Sequence, residues 1–547
     1  MNKTLFVLIA LIMSVNIVFS SKNNDKKGKE DNISLAMTKA WLRYQDGDFY
    51  GALSIYKEVY AGNENNAMLN FRLGQCYTAL NEMDNALSFL EKSYQLDSLT
   101  STEVHFLLGK AYQYNGNLDK AIDAFYKYKS SLNPKQNERN FVNTLLRQCL
   151  TAKELIDKPV NAKISLLDSS INSKYTDACP SISADSKTLI FTSRRPISKE
   201  STFDYNTNEY FEDVYISTWN DVVNKWNPSK MIGGSINTEG YDANTSISPD
   251  GNQIYVYKNI DGETKSGDIY VSIKKGENEW SKSKPLGKNI NSTYFESSAC
   301  VTGDGNTLFF VSEKDRGGFG NGDIYMAKRE GEDWGKPVNL GPTINTIDDE
   351  IGVYIHPDGK SLFFSSNGHN SMGGYDIFMS VLENGKWSEP LNLGYPINTT
   401  RNEIHFTLTT DKKTAYISSS RNGGLGKTDI YEVDMSRYFK SNDQITDKIA
   451  DAITGPALSI LKGTVIDAVT QEPIKTNITI IDMTDNKTTV ISSNEKGEYF
   501  VTLPADRKYE ASVKQKAYKP LDVKFKLEKG KNNTTFTLTK HLLLNKE

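Results

Sequence analysis

Hydrophobic positions follow two rhythms along the chain. From residue 33 to 156 they recur at helical spacing, and small residues return at a fixed interval. The turns in "DGDFYGALSIY", "NEMDNALSFL" and "NGNLDKAIDAF" each lead to an alanine, and Ala52, Ala86 and Ala121 lie 34 and 35 residues apart. Leu73-Gly74 returns as Leu108-Gly109, and Tyr77 as Tyr112. Small residues at such places let paired helices approach closely, while Tyr56 and Phe125 fill the gap between pairs. The pattern predicts three helical hairpins, the third ended by Pro134, with "NERNFVNTLLRQCLTAKELI" as a capping helix.

From residue 160 to 435 the rhythm changes to alternation, and a unit of about 54 residues repeats. Triplets like Asp-Ile-Tyr start at Asp213, Asp268, Asp323, Asp376 and Asp429. Ile-Asn pairs end at Asn172, Asn237, Asn291, Asn345 and Asn398, and four of them follow a tryptophan by ten residues. Five residues beyond each asparagine stands an acid: Asp177, Asp242, Glu296, Glu350 and Glu403. Eight residues further stands a turn aspartate: Asp185, Asp250, Asp304, Asp358 and Asp411. One unit reads as four short strands, "SACVTG", "TLFFVS", "DIYMAKR" and "WGKPVNLG", with Asp-Gly turns joining the first two. Four-stranded units at this period predict a five-bladed β-propeller over 157–437. The fifth unit lacks its tryptophan strand. "PVNAKISLLDSSIN" at 159–172 has that pattern, so it is expected to pair into the last unit and close the ring. The glycine-rich stretch Gly317–Gly322 precedes "DIYMA", a strand pattern, whereas a phosphate loop opens a helix. It reads as a connection inside the repeat.

Beyond a linker at 438–457, alternating apolar residues and Gly/Pro turns predict a small β-sandwich over 458–541. At the other end, Lys3 and the apolar run "LFVLIALIMSVNIVF" predict a secretory signal peptide over 1–20. The polar stretch 21–32 reads as a disordered leader, ahead of a helical domain at 33–156. The fold class is multidomain: an α solenoid followed by all-β domains.

Charge and chemistry change this picture little. A net charge of −4 with mixed signs gives no footprint for nucleic acid. The four cysteines have no zinc spacing and read as buried free thiols. The five histidines show no ligand spacing, and no G-x-S-x-G elbow or twelve-residue calcium loop occurs. A catalytic acid is needed once, whereas these acids recur in every unit, so they read as structural. No enzyme, cofactor or metal is expected. The first unit's loop, 194–212, is about ten residues longer than its equivalents. Loops on rigid scaffolds often carry binding, so Arg194, Arg195, Tyr205 and Tyr210 are candidate partner contacts.

Several resemblances rest on these residues. The helical part resembles the tetratricopeptide repeat, which implies a groove for protein segments. The Asp-Gly units resemble the WD40-like propeller repeats of the TolB family. Gly463, Asp467, Thr470, Pro473-Ile474, Gly497, Tyr499 and Leu503-Pro504 resemble the carboxypeptidase regulatory-like, transthyretin-like module, which is non-catalytic. The order of modules resembles OmpA-family, PorE-like envelope proteins associated with type IX secretion. Those end in a peptidoglycan-binding OmpA-like domain, whereas this sequence ends at "TFTLTKHLLLNKE". The resemblance implies a periplasmic, outer-membrane-associated scaffold. Its partners would be envelope or secretion-system proteins, held by the groove and the propeller faces, with indirect peptidoglycan or outer-membrane association. The alternative is a glycan-binding or glycan-cleaving propeller in polysaccharide use.

Overall fold

The computed structural model describes residues 21–133, 135, 141–198, 201–204, 207–233, 236–260, 264, 267–276, 279–313, 317–438, 456–530 and 535–547, with side chains from Asn32 onward. The expected signal peptide, Pro134 and most of the expected linker lie outside the described residues.

Helices come first: α1 (Ser21–Gln45), α2 (Phe49–Tyr60), α3 (Ala67–Ala79), α4 (Met83–Leu96), α5 (Glu103–Tyr114), α6 (Leu118–Ser131) and α7 (Val142–Asp157). The expected disordered leader at 21–32 is instead the start of α1. Its lysines and Glu30 favour helix and no proline interrupts the stretch, so the helix propagates back from its packed half despite Gly28 and the asparagines. The chain divides into two compact units, residues 1–107 and 108–547.

In the first unit, short polar side chains start the helices. Asp48 accepts from the Gly51 amide at 2.8 Å, and Asn66 from the Leu69 amide at 3.0 Å, satisfying donors that lack intrahelical partners. A Cβ on Gly74 would lie 2.6 Å from Leu90, so only glycine allows α3 and α4 this approach. In the second unit the next copy of that contact is Gly109 against Phe125, where a Cβ would lie 2.4 Å from the ring.

Five antiparallel sheets follow in the second unit, each with strands in chain order. Sheet I holds Asp177–Ile182, Thr188–Ser193 and Asp213–Asn220; sheet II holds Tyr241–Ile247, Gln253–Asn259 and Asp268–Ile273. Sheet III holds Glu296–Val301, Thr307–Ser312 and Asp323–Glu330; sheet IV holds Glu350–Ile355, Ser361–Ser366 and Asp376–Glu383. Sheet V holds Glu403–Leu408, Thr414–Ser419 and Asp429–Asp434. Its outer strand is Lys163–Leu166, which pairs antiparallel with Asp429–Asp434 as the pattern at 159–172 predicted.

The expected fourth strand is broken. In sheet III, Asp333–Trp334 pairs with the far end of the third strand and Val338–Asn339 with its near end. Pro337 between them has no N–H to give a ladder, and Pro228 and Pro390 interrupt sheets I and IV in the same way.

The first strands of the sheets touch in the order I, II, III, IV, V and back to I. A buried apolar cluster fills each gap, including that between V and I, where Ile182, Phe191 and Trp226 meet Tyr416 and Ile430. Strands such as Thr307–Ser312 and Ser361–Ser366 are buried at every position, so both faces of these sheets need a neighbour.

Two further four-stranded sheets share one core built on Leu461, Val465, Ile480, Val501 and Val513. This region runs past the expected limit at 541. Leu542–Leu544 pairs parallel with Val465–Asp467, burying Leu542 and Leu544. Within the same unit, Thr502 Oγ1 donates to the Pro357 carbonyl at 2.7 Å, which ties these sheets to a turn of sheet IV. Gln148 Nε2 of α7 donates to the Asn367 carbonyl at 3.1 Å and to Ser371 Oγ at 3.0 Å, and the Arg401 guanidinium lies 4.2 Å from the Tyr114 ring centre.

Candidate functional site

The recurring polar residues are the first candidate, and the structure gives each set one internal task. Every Ile-Asn asparagine imitates a strand residue. Asn345 Oδ1 accepts from the Ile324 amide at 2.8 Å and its Nδ2 donates to the Ile324 carbonyl at 3.0 Å. Asn237, Asn291 and Asn398 do the same to Val214, Ile269 and Ile377.

The acid five residues on is fully buried in each unit: Asp177, Asp242, Glu296, Glu350 and Glu403. Each accepts from the amide and hydroxyl of the Ser or Thr after the asparagine, as Glu350 does from Thr346 at 2.8 Å twice. It also takes one partner from the second strand. In sheets III, IV and V this is Ser312, Ser366 or Ser419, at 2.9, 2.7 and 2.6 Å. Sheets I and II have the shorter aspartate and a cation instead, and in sheet V Arg421 lies 3.4 Å from Glu403 in addition to the serine. Arg195 reaches Asp177 at 2.6 Å and Lys258 reaches Asp242 at 2.6 Å. Burial pushes the Glu350 carboxyl up to about 7, against the hydrogen bonds from Thr346 and Ser366.

The turn aspartates accept amides two residues on, as Asp185 does from Lys187 at 3.0 Å and Asp250 from Asn252 at 3.0 Å. Asp304 and Asp411 do likewise, and Asp358 takes both Lys360 and Ser361. Asp323 answers for the glycine-rich loop: its carboxylate accepts from the Phe319 and Gly320 amides at 2.7 and 3.1 Å. Donors that a phosphate loop turns toward its anion are here turned toward the protein's own carboxylate.

The long loop of sheet I is the second candidate. Arg194 faces inward to Glu212 at 2.6 Å, and Arg195 is the partner of Asp177. Neither arginine is a free contact for a partner, because each neutralises a carboxylate in a poorly solvated place. Tyr210 is half-buried against Phe203 and Tyr175 at centroid distances of 5.1 and 5.8 Å. Phe203–Asp204 and Glu209–Tyr210 form a hairpin, latched where the Tyr241 hydroxyl donates to Asp204 at 2.7 Å. Tyr205 lies outside the described residues.

A third candidate escaped sequence reasoning. In the first unit, the Arg72 guanidinium lies 3.6 Å from the Trp41 ring centre and donates to Gln75 Oε1 at 2.8 Å. Gln75 Nε2 donates to Glu103 Oε2 at 3.0 Å, so one polar chain crosses α1, α3 and α5. The available signal was positional: Trp41 and Gln75 each follow the small residue, Ala40 or Gly74, that defines the helical period.

The four cysteines are unpaired, and burial pushes each thiol up to about 12; Cys179 is the part-exposed one. Among the described residues no group of three His, Cys, Asp or Glu side chains has metal-holding geometry, and no helix is long and apolar enough to cross a membrane.

The class these features define is a helical-repeat protein joined to a large β region of curled sheets. Tetratricopeptide repeat families match residues 43–93 and 102–130. Such repeats mark a protein–protein interaction scaffold. No curated protein matches the chain. Among solved structures, the Yersinia enterocolitica type III secretion chaperone SycD with a peptide of the translocator YopD is similar at 17% identity, over 22% of this chain and 95% of that one, with a TM-score of 0.20. PcrH with the chaperone-binding region of PopD is similar at 20% identity, over 23% and 95%, TM-score 0.20, and PcrH from Pseudomonas aeruginosa at 20%, over 22% and 93%, TM-score 0.20.

Proposed function

We propose that this chain is a non-catalytic scaffold exported to the periplasm, associated with the outer membrane, and holding partners of an envelope or type IX secretion assembly. In this reading sheets I–V are the blades of a TolB-like five-bladed propeller, and the C-terminal pair of sheets is a transthyretin-like, carboxypeptidase regulatory-like module. One observation carries the reading. The buried acid after each Ile-Asn pair and the aspartate of each following turn are engaged in turns and strand-to-strand bonds, and the chain also carries a helical-repeat array whose polar chain Trp41–Arg72–Gln75–Glu103 spans three helices.

Crosslinking in envelope fractions, followed by purification of the full chain, tests it. The expected result is recovery of defined envelope proteins, with the mature chain beginning near residue 21. Recovery should fall when Arg72→Glu reverses charge on the polar chain. An unprocessed cytosolic chain, no envelope partner, or turnover of a glycan would each overturn the reading.

A further inference from the structure

A cleft of about 420 Å³ lies where α7 meets the loops of sheets III and IV, and its lining is rich in hydrogen-bond acceptors. Asp348 and Glu389 bring two carboxylates to it, and Arg147 one cation. Glu389 is exposed, and no described lysine or arginine reaches its carboxylate within 4 Å. His369 adds a third acceptor. Its Nε2 lies 2.9 Å from the Ile344 carbonyl, which can only accept, so Nε2 carries the proton. Burial holds this imidazole below its ordinary range, hence neutral, and Nδ1 is left as an acceptor.

The apolar part of the lining is Phe319, Pro342 and Ile347. Phe319 is 44% exposed and Ile347 is 83% exposed at the rim. The Phe319 amide is fixed by Asp323, and Gly320 packs so tightly on the Asp348 carbonyl that a Cβ there would lie 1.8 Å away. Two carboxylates, an imidazole acceptor and an open aromatic ring, with one opposing cation, match a planar cation with several donors.

We infer that this cleft binds an arginine side chain of a partner polypeptide, its guanidinium on Glu389 and Asp348 and its stem against Phe319 and Ile347. The inference rests on the reading of the chain as a protein-binding scaffold. It places one specific contact where α7 meets the loops of sheets III and IV.

The test uses the full chain and three fluorescent peptides that share the sequence Gly-Leu-X-Leu-Gly, with X as arginine, lysine or the uncharged isostere citrulline. Anisotropy titration is expected to show arginine binding about tenfold more tightly than citrulline, with lysine between them. Glu389→Gln at the surface combined with Asp348→Asn, which is half-buried and keeps the side chain's shape, should abolish that preference, and Arg147→Ala should strengthen binding by removing the competing cation. Equal affinity for arginine and citrulline peptides would sink the inference, as would a preference that survives the double substitution. If envelope partners still crosslink to the double variant as to the parent, the cleft assignment falls while the scaffold reading stands.

Discussion

Asn172 and Ile430, separated by 258 positions, are joined as neighbours in a ladder: Asn172 Oδ1 accepts from the Ile430 amide at 2.9 Å and its Nδ2 donates to the Ile430 carbonyl at 2.9 Å. Four other asparagines make this clamp within about twenty residues of their targets. Asn172 makes it between the start and the end of the ring, beside the pairing of Lys163–Leu166 with Asp429–Asp434. Replacing it with alanine leaves a buried donor and acceptor unpaired at the seam. The expected loss is about 2–4 kcal/mol. Urea denaturation of the full chain measures it, and a loss no larger than that of an exposed asparagine such as Asn65→Ala contradicts the clamp.

The Asp242–Lys258 pair is buried on both sides, with 0% and 2% of the side chains exposed. Lys258→Met strands the carboxylate, and a loss of about 3–5 kcal/mol is expected. Sheets III and IV solve the same position with glutamate and serine. The double variant Asp242→Glu/Lys258→Ser should therefore recover most of the loss. Thermal melts of the two variants decide the matter: no recovery means that the cation has a task beyond neutralising Asp242.

Glu350 makes stability depend on pH with a definite sign. Its folded carboxyl sits at about 7, raised from 4.5 chiefly by burial. The folded state therefore holds a proton that the unfolded state gives up more easily. The contribution is fully present below about 4.5 and is lost as pH rises through 7. Between pH 5 and 7 the parent should lose stability relative to Glu350→Gln, and above pH 8 the difference should stay constant. Parallel denaturation curves over this range check it, and a constant difference throughout would count against the buried proton.

Gly109 sits where any side chain meets the buried Phe125 ring. Gly109→Val should cost about 1–3 kcal/mol through overpacking, although valine suits a helix better than glycine does. Circular dichroism melts read the outcome. A stabilised variant would show that α5 and α6 can separate without loss.

Much of this architecture was readable from spacing. The helical period came from Ala52, Ala86 and Ala121, and the sheet repeat from its acids, asparagines and Asp-Gly turns. The strand at 163–166 was placed in the last sheet because the fifth unit lacked one. Other features were hidden. Lys258 reads as any surface lysine until Asp242 is seen beside it. Arg194 and Arg195 read as exposed loop cations, yet both neutralise internal carboxylates. The break in the fourth strand falls at a proline in sheets I, III and IV, but the repeat length alone did not reveal it.

The sequence by itself determined what short range can encode: where turns fall, which face of a helix or strand is apolar, and how often the unit recurs. Those choices depend on residues within a few positions of each other. The tertiary structure alone decided which acids meet a cation, how Asn172 finds Ile430, and that Arg147, Phe319, Ile347, His369 and Glu389 border one cleft. Those meetings join distant segments, and packing of the sheets and helices sets them.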